Sequence, residues 1–187
     1  QAYEYAKAVG AKTGVRPAFI LAILTQETNL GENVGTCNRP GDPPDKQWKA
    51  IMKPERDHAP FLRITKALGI SPEGQPLSCP WGNGWGGAMG PSQFIPATWE
   101  AYGMGGDIDD PRAAILAAAN YLRQAGAPGE LDGALFAYNH SASYVRAIRR
   151  FASRMSRDER AFLTYYAWQV YVITPSGIRR LTGPGRG

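Results

Sequence analysis

Glu27 stands in the segment PAFILAILTQETNLG, where Ile20, Ile23, Leu24 and Glu27 follow an i, i+3, i+4, i+7 spacing. At about 100° per residue, a helix here places the carboxylate on the same face as the apolar stripe. Glutamate usually faces water, and the plainest reading lets the stripe stop at Leu24. Held against Ile23 and Leu24 instead, a carboxyl group loses hydration of its charged form, so its pKa rises toward neutrality. It then keeps a proton at neutral pH. Such an acid suits cleavage of a glycosidic bond, where the leaving oxygen must be protonated as an oxocarbenium-like transition state develops.

The second carboxylate that this chemistry usually needs is hard to name. Asp107, Asp109 and Asp110 form an acidic cluster, but Asp110 reads as a helix cap and the other two as a polar turn. Glu100 sits on a helix with no evident orientation toward Glu27, and Glu32 falls well round the helix or beyond its end. The pattern suggests one acid working alone. A second unusual stretch, GGAMGPSQFIP at 86–96, packs three glycines around Met89 and Gln93. It lacks the GxxxxGK[ST] and GxGxxG signatures, so it is not a phosphate cradle. The permissive backbone is expected to let a ligand chain come close while Gln93 reads its polar groups.

These residues need elements to carry them, and periodicity says helix nearly everywhere. Tyr3 to Lys12 reads as a short helix ended by Gly14, and Pro17 opens a second helix running to about Leu30. Residues 36–45 are loop, Lys46 to Met52 and Arg56 to Leu68 read as helices separated by Pro54, and a second loop spans Gly69 to Gly90. Pro96 to Tyr102 follows, then Asp110-Pro111 caps an alanine-rich helix from Arg112 to Gln124. Leu131 to Tyr138 and Ala142 to Ser153 are helical, and Ser156 with Glu159 marks a capping box for a last helix from Arg157 to Ile173. The C-terminal run YYAWQVYVI is expected to pack as helix, and residues 182–187 to form a flexible tail. The fold class is therefore mostly α, with loop-rich insertions, little or no β-sheet and a single domain over 1–181.

Composition narrows the partners. No apolar run approaches the ~18 residues of a membrane span, and 43% hydrophobic with 20% charged residues fits an ordinary globular chain. The chain starts at Gln1 without a basic-then-apolar leader, so it reads as a mature or trimmed segment. The net charge of +5 suits an anionic partner without choosing one. Arg146, Arg149, Arg150, Arg154, Arg157 and Arg160 match no nucleic-acid motif and read as a solvated helix face, so no nucleic acid is expected. Cys37 and Cys79 lack metal-site spacing; they are expected to form a disulfide in an oxidising compartment, with two buried thiols as the alternative. The two histidines, His58 and His140, do not make a metal centre.

Four motifs in register resemble one family: TQETNLG at 25–31, GGAMGPSQFIPATW at 86–99, DPRAAILAAANYL at 110–122 and ALFAYNHSASYV at 134–145. Over about residues 15–150 the chain resembles lytic murein transglycosylases of the lysozyme-like superfamily, closest to the membrane-bound lytic murein transglycosylase B type. The resemblance implies a lysozyme-like helical domain that cuts the bond between N-acetylmuramic acid and N-acetylglucosamine in peptidoglycan. It makes Glu27 the acid and then the base, with the muramic C6 hydroxyl as internal nucleophile, so that no second carboxylate is required. It implies that Gln93 bonds the N-acetyl or hydroxyl groups, that Tyr138 and Asn139 position the reacting sugar, and that Tyr121 faces the site. Thr28 follows the acid where serine is common, while Met89 and Phe94 line the cleft as apolar packing. Gly84 stands where a hydroxyl residue is expected.

The B type carries an EF-hand-like calcium loop, but YGMGGDIDDP is too short for one, so no metal or other cofactor is expected. Trp81 and Trp85, in a glycine-rich loop, are candidates for a glycan groove. The expected setting is an exported, monomeric cell-envelope enzyme acting on glycan strands, with membrane anchoring, if any, outside this segment. A muramidase using the same acid with water, or a glycan-binding scaffold without turnover, fits the same residues.

Overall fold

A computed structural model describes residues 2–157 and the backbone of 169–174 and 177–182. The order is α1 (Ala2–Thr13), α2 (Pro17–Thr28), α3 (Trp48–Ile51), α4 (Ala59–Leu68), α5 (Pro96–Tyr102), α6 (Pro111–Gln124), α7 (Leu131–Tyr138) and α8 (Ala142–Arg157). Two strands, β1 (Gln169–Thr174) and β2 (Gly177–Thr182), pair antiparallel from Gln169 opposite Thr182 to Thr174 opposite Gly177. The fold is mostly α, as the periodicity indicates.

Three boundaries differ from the sequence reading. Ser156 lies inside α8, so it opens no further helix; of the expected 157–173 helix, Arg157 ends α8 and residues 169–173 are strand. The run QVYVIT alternates and is rich in β-branched residues, so once it has a partner at GIRRLT the period-2 pattern wins. Thr182 belongs to β2, not to the tail, and 158–168 and 183–187 lie outside the described residues. Between 44 and 58 a 3₁₀ turn at Pro44–Lys46 enters the expected loop, the expected Lys46 to Met52 helix shrinks to the single turn α3, and the Arg56 to Leu68 helix is preceded by a π turn at Pro54–His58 and starts at Ala59. Four prolines in sixteen residues, counted from 39 to 54, leave no room for a longer run.

The core has two parts. The first gathers α1, α2, α6, α7 and α8 around α2, whose residues from Ala18 to Thr25 are all buried. A helix apolar on every side belongs at a centre, and the apolar stripe read from the sequence understates its enclosure. Pro17 starts α2 with its ring-fixed φ, while Arg16 before it is extended. On α6 the Asp110 side chain accepts the Arg112 N–H at 2.9 Å, and Ala114, Ala118 and Ala119, all fully buried, let α6 pack close against α1 and α2.

The second part gathers Trp48, Met52, Phe61, Leu77, Met89, Phe94, Trp99 and Ile108 beneath the loops. A short ladder ties it, Cys37 to Leu77, Leu77 to Met89 and Met89 to Phe94. Beside the ladder, Cys37 and Cys79 are joined in a disulfide with Cα atoms 5.2 Å apart. Tyr138, at the end of α7, packs against both parts and so marks the seam between them.

Candidate active site

α2 delivers Glu27 to the seam one residue before its own end. Asn29 and Leu30 take left-handed conformations (φ 52° and 61°), and the N–H groups of both close on the last turn, at Thr25 O and Leu24 O. A non-glycine residue such as Leu30 adopts that region only when its surroundings enforce it. Thr28 supplies the enforcement: its Oγ1 donates to Pro91 O at 2.8 Å and accepts the Gly31 N–H at 2.9 Å. The residue after the acid is therefore the clamp that fixes the glycine loop to α2.

Glu27 itself is partly buried, and loss of hydration raises its pKa; a hydrogen-bonding interaction with the Tyr144 hydroxyl favours the carboxylate and opposes that rise. Tyr144, on the first turn of α8, is buried, and its hydroxyl has no partner in full hydrogen-bond geometry. It faces the carboxyl closely enough that burial and the adjacent Glu27 charge together raise its own pKa far above the tyrosine range. Tyr138 is pushed well above its usual value by burial and then by Glu27, Tyr144 and Tyr121. Both phenols thus stay protonated and can only present O–H groups or ring faces to the acid.

These tyrosines belong to one aromatic chain. Tyr138 stacks on Tyr144 with centroids 6.4 Å apart and planes 8° from parallel. Phe94 touches Tyr138 and Tyr121 at 5.0 and 5.5 Å, and Tyr121 meets Tyr102 at 5.1 Å. Hydrogen bonds lock it: the Tyr138 hydroxyl donates to Ser92 O at 2.6 Å and the Tyr121 hydroxyl to Ala137 O at 2.7 Å. The glycine loop is thereby pinned twice, by Thr28 through Pro91 and by Tyr138 through Ser92.

The loop's glycines serve protein packing, which corrects the expectation that they open the backbone to a ligand. A Cβ on Gly86 would sit 2.4 Å from Ser78 O, and one on Gly90 would sit 2.2 Å from Ile108 O. Around Gly90, Met89 and Phe94 pair across a tight turn in which Gln93 has φ 50°. The Gln93 amide NH₂ donates to Gly90 O at 3.0 Å and Val34 O at 3.2 Å. The donor end is spent on the backbone, and what Gln93 keeps for a ligand is its acceptor oxygen.

Met89, Phe94 and Thr28 are buried at 0%, 4% and 1% exposure, so they hold the site together and do not line it; a side chain enclosed to that degree has no surface for a sugar. Tyr121 is partly buried behind Phe94 with its hydroxyl bonded to the backbone. Asn139, exposed at the end of α7, lies beside Tyr138. Trp81 and Trp85 are 93% and 52% exposed on the loop that follows Cys79 and runs into the glycine stretch. Tyr144 and Ser92 escaped the sequence reading as site members. Ser92 is fully buried with an unpartnered Oγ, and nothing in its local pattern signals that.

Each rival carboxylate has another duty. Asp110 caps α6, Asp109 accepts from the Gln75 amide at 3.1 Å, Asp107 accepts the Asp109 N–H at 3.0 Å, and Glu100 takes both arms of Arg63 at 2.6 and 2.8 Å. Among the described residues, no group of three or more His, Cys, Asp or Glu side chains is placed to hold a metal ion.

Residues 1–130 match the family described as "Transglycosylase SLT domain". Among solved structures, the fold is similar to the catenated lytic transglycosylase SltB1 from Pseudomonas aeruginosa, at 18% identity and TM-score 0.65 over 82% of this chain and 74% of that one. It is similar to Escherichia coli Slt35 in complex with bulgecin A, at 19% identity and TM-score 0.61 over 80% and 68% of the two chains. It is also similar to P. aeruginosa SltB3 in complex with NAG-NAM-pentapeptide, at 20% identity and TM-score 0.62 over 83% and 60%. No curated protein sequence matches. At these identities the structural likeness speaks to the fold.

Proposed function

The chain belongs to the transglycosylase SLT domain family, and from that premise we propose that it is a peptidoglycan lytic transglycosylase in which Glu27 alone serves as acid and then base. The observation that carries the reading is the Glu27 carboxyl, raised in pKa by burial, at the seam of two packed lobes and within electrostatic reach of Tyr138 and Tyr144. Its likeness to a fold that in SltB3 holds NAG-NAM-pentapeptide supports the choice of substrate.

In the proposed reaction, protonated Glu27 gives its proton to the oxygen linking N-acetylmuramic acid to N-acetylglucosamine, and the bond from muramic C1 to that oxygen breaks. Glu27, now a carboxylate, takes the proton of the muramic C6 hydroxyl as that oxygen attacks C1, leaving a 1,6-anhydro end. The Tyr144 O–H steadies the charge that Glu27 carries between the two steps. Tethering of the nucleophile to the reacting ring removes the entropy cost of recruiting water. The Gln93 carbonyl oxygen would accept from the sugar's N–H or O–H groups, and Asn139 with Tyr138 would position the ring.

A muramidase with the same acid differs only in letting water replace the C6 hydroxyl. Mass analysis of muropeptides released from sacculi decides between them, because anhydro products are lighter by one water. If the purified protein digests sacculi and Glu27→Gln digests them equally well, the proposed acid is wrong. The disulfide accords with an exported enzyme of the cell envelope.

A further inference from the structure

The arginines of α8 form a feature the proposed reaction does not use. Arg146, Arg150 and Arg154 recur every four residues, as do Arg149, Ser153 and Arg157, so two adjacent stripes run along one side of the helix. All five arginines are exposed, while the opposite side, Tyr144, Ile148, Ala152 and Met155, is buried in the core. Only Arg149 has an ion-pair partner among the described residues, Asp132 at 2.6 Å. Arg157 donates to Ser153 Oγ at 3.1 Å, and exposed Arg16 lies over the Phe19 ring at 4.8 Å.

Two hollows of about 310 Å³ flank this ridge. One is lined by Arg16, Arg149, Arg157, Ser153 and Ser156, the other by Arg149, Arg150, Arg154, Arg157 and Ser153. Every cation in them is arginine, whose planar fork meets oxyanions with two parallel bonds, and the serine hydroxyls add donors of the same use. Tyr144 at the start of α8 meets Glu27 at the end of α2, while Ala152 and Ser156 share a hollow with Phe19 and Arg16. The two helices are therefore antiparallel, and the patch sits at the far end from the acid, about 16 Å away along α2.

We propose that this face docks on an anionic phospholipid surface, each hollow taking the phosphodiester of one headgroup. A single-stranded polyanion is usually held in a groove that tracks its backbone with aromatic platforms. Here the cations stand on one side of one helix around two adjoining hollows that share Arg149, Ser153 and Arg157, an arrangement that meets a plane of discrete phosphates. The proposal does not depend on the chemistry at Glu27.

The test is co-sedimentation of the full chain with phosphatidylcholine vesicles, with and without phosphatidylglycerol, at low and high salt. Wild type is expected to bind only the anionic vesicles and to dissociate in salt. Each arginine at such a surface is worth about fivefold in partitioning, so the triple variant Arg150→Gln, Arg154→Gln, Arg157→Gln should lose about a hundredfold. A charge-matched variant, Lys53→Gln, Lys66→Gln, Arg123→Gln, should keep most of the binding; circular dichroism checks that both remain folded. Equal losses in the two variants would assign binding to net charge alone and overturn the proposal. So would no binding by wild type, or preferential capture by soluble polyphosphate over the vesicles.

Discussion

Replacing Glu27 with Gln should make the protein more stable at neutral pH while removing its activity. Burial raises the carboxyl's pKa in the folded chain above its ordinary 4.5, so between that value and the folded one the native state holds a proton the unfolded chain has released. The unfolding free energy of the wild type therefore falls as pH rises through this window and levels off above it. Glutamine has no proton to lose, so the variant's stability lacks this slope. The two proteins should match below about pH 4, where both side chains are neutral in both states, and diverge toward pH 8. Every tenfold weakening of the acid by the fold corresponds to about 1.4 kcal/mol. In a chain of this size that is roughly 3 to 6 °C in Tm. Urea titrations of both proteins across the window measure the gap directly, and digestion of sacculi at neutral pH reports the loss of a general acid, about 10² to 10⁴-fold. Parallel stability curves, or a variant that grows less stable as pH rises, would refute the claim that Glu27 is held out of water.

Three further outcomes follow from named contacts. Tyr144→Phe removes the group that favours the Glu27 carboxylate, so the alkaline limb of kcat/KM, where the acid loses its proton, should move to higher pH as turnover falls. Thr28→Val deletes the clamp to Pro91 and Gly31 and should cost about 1 to 3 kcal/mol with a matching loss of turnover, while Thr28→Ser should restore both. Cys37→Ser with Cys79→Ser opens a loop of sequence separation 42; in the chain-entropy account this costs about 4 kcal/mol, measurable by urea unfolding against the oxidised protein.

How far the sequence reaches depends on the range of the interaction. Pro17 and Asp110-Pro111 announce α2 and α6 because caps and fixed φ angles act within one turn. Glu27 stands out because its position breaks an apolar pattern. The glycines of 86–90 were legible as special but not as to why, since the atoms they accommodate, Ser78 O and Ile108 O, come from elsewhere in the chain. Tyr144 lay inside the fourth motif, but nothing local tied it to Glu27; that link arises from the antiparallel packing of α2 and α8. The run at 169–173 could be read either way until its partner strand was known, because short apolar segments satisfy both periods.

The enclosure of α2 has a consequence for motion. Its central residues are shielded by α1, α6 and α8, so exchange of their amide hydrogens should require opening of the domain as a whole, whereas the tryptophan-bearing loop should exchange through local fluctuation. Glu27, the proposed proton donor, is thus mounted on a firmly enclosed helix. Of the two, the 79–85 loop is the segment expected to yield first, while the end of α2 that carries Glu27 keeps its place.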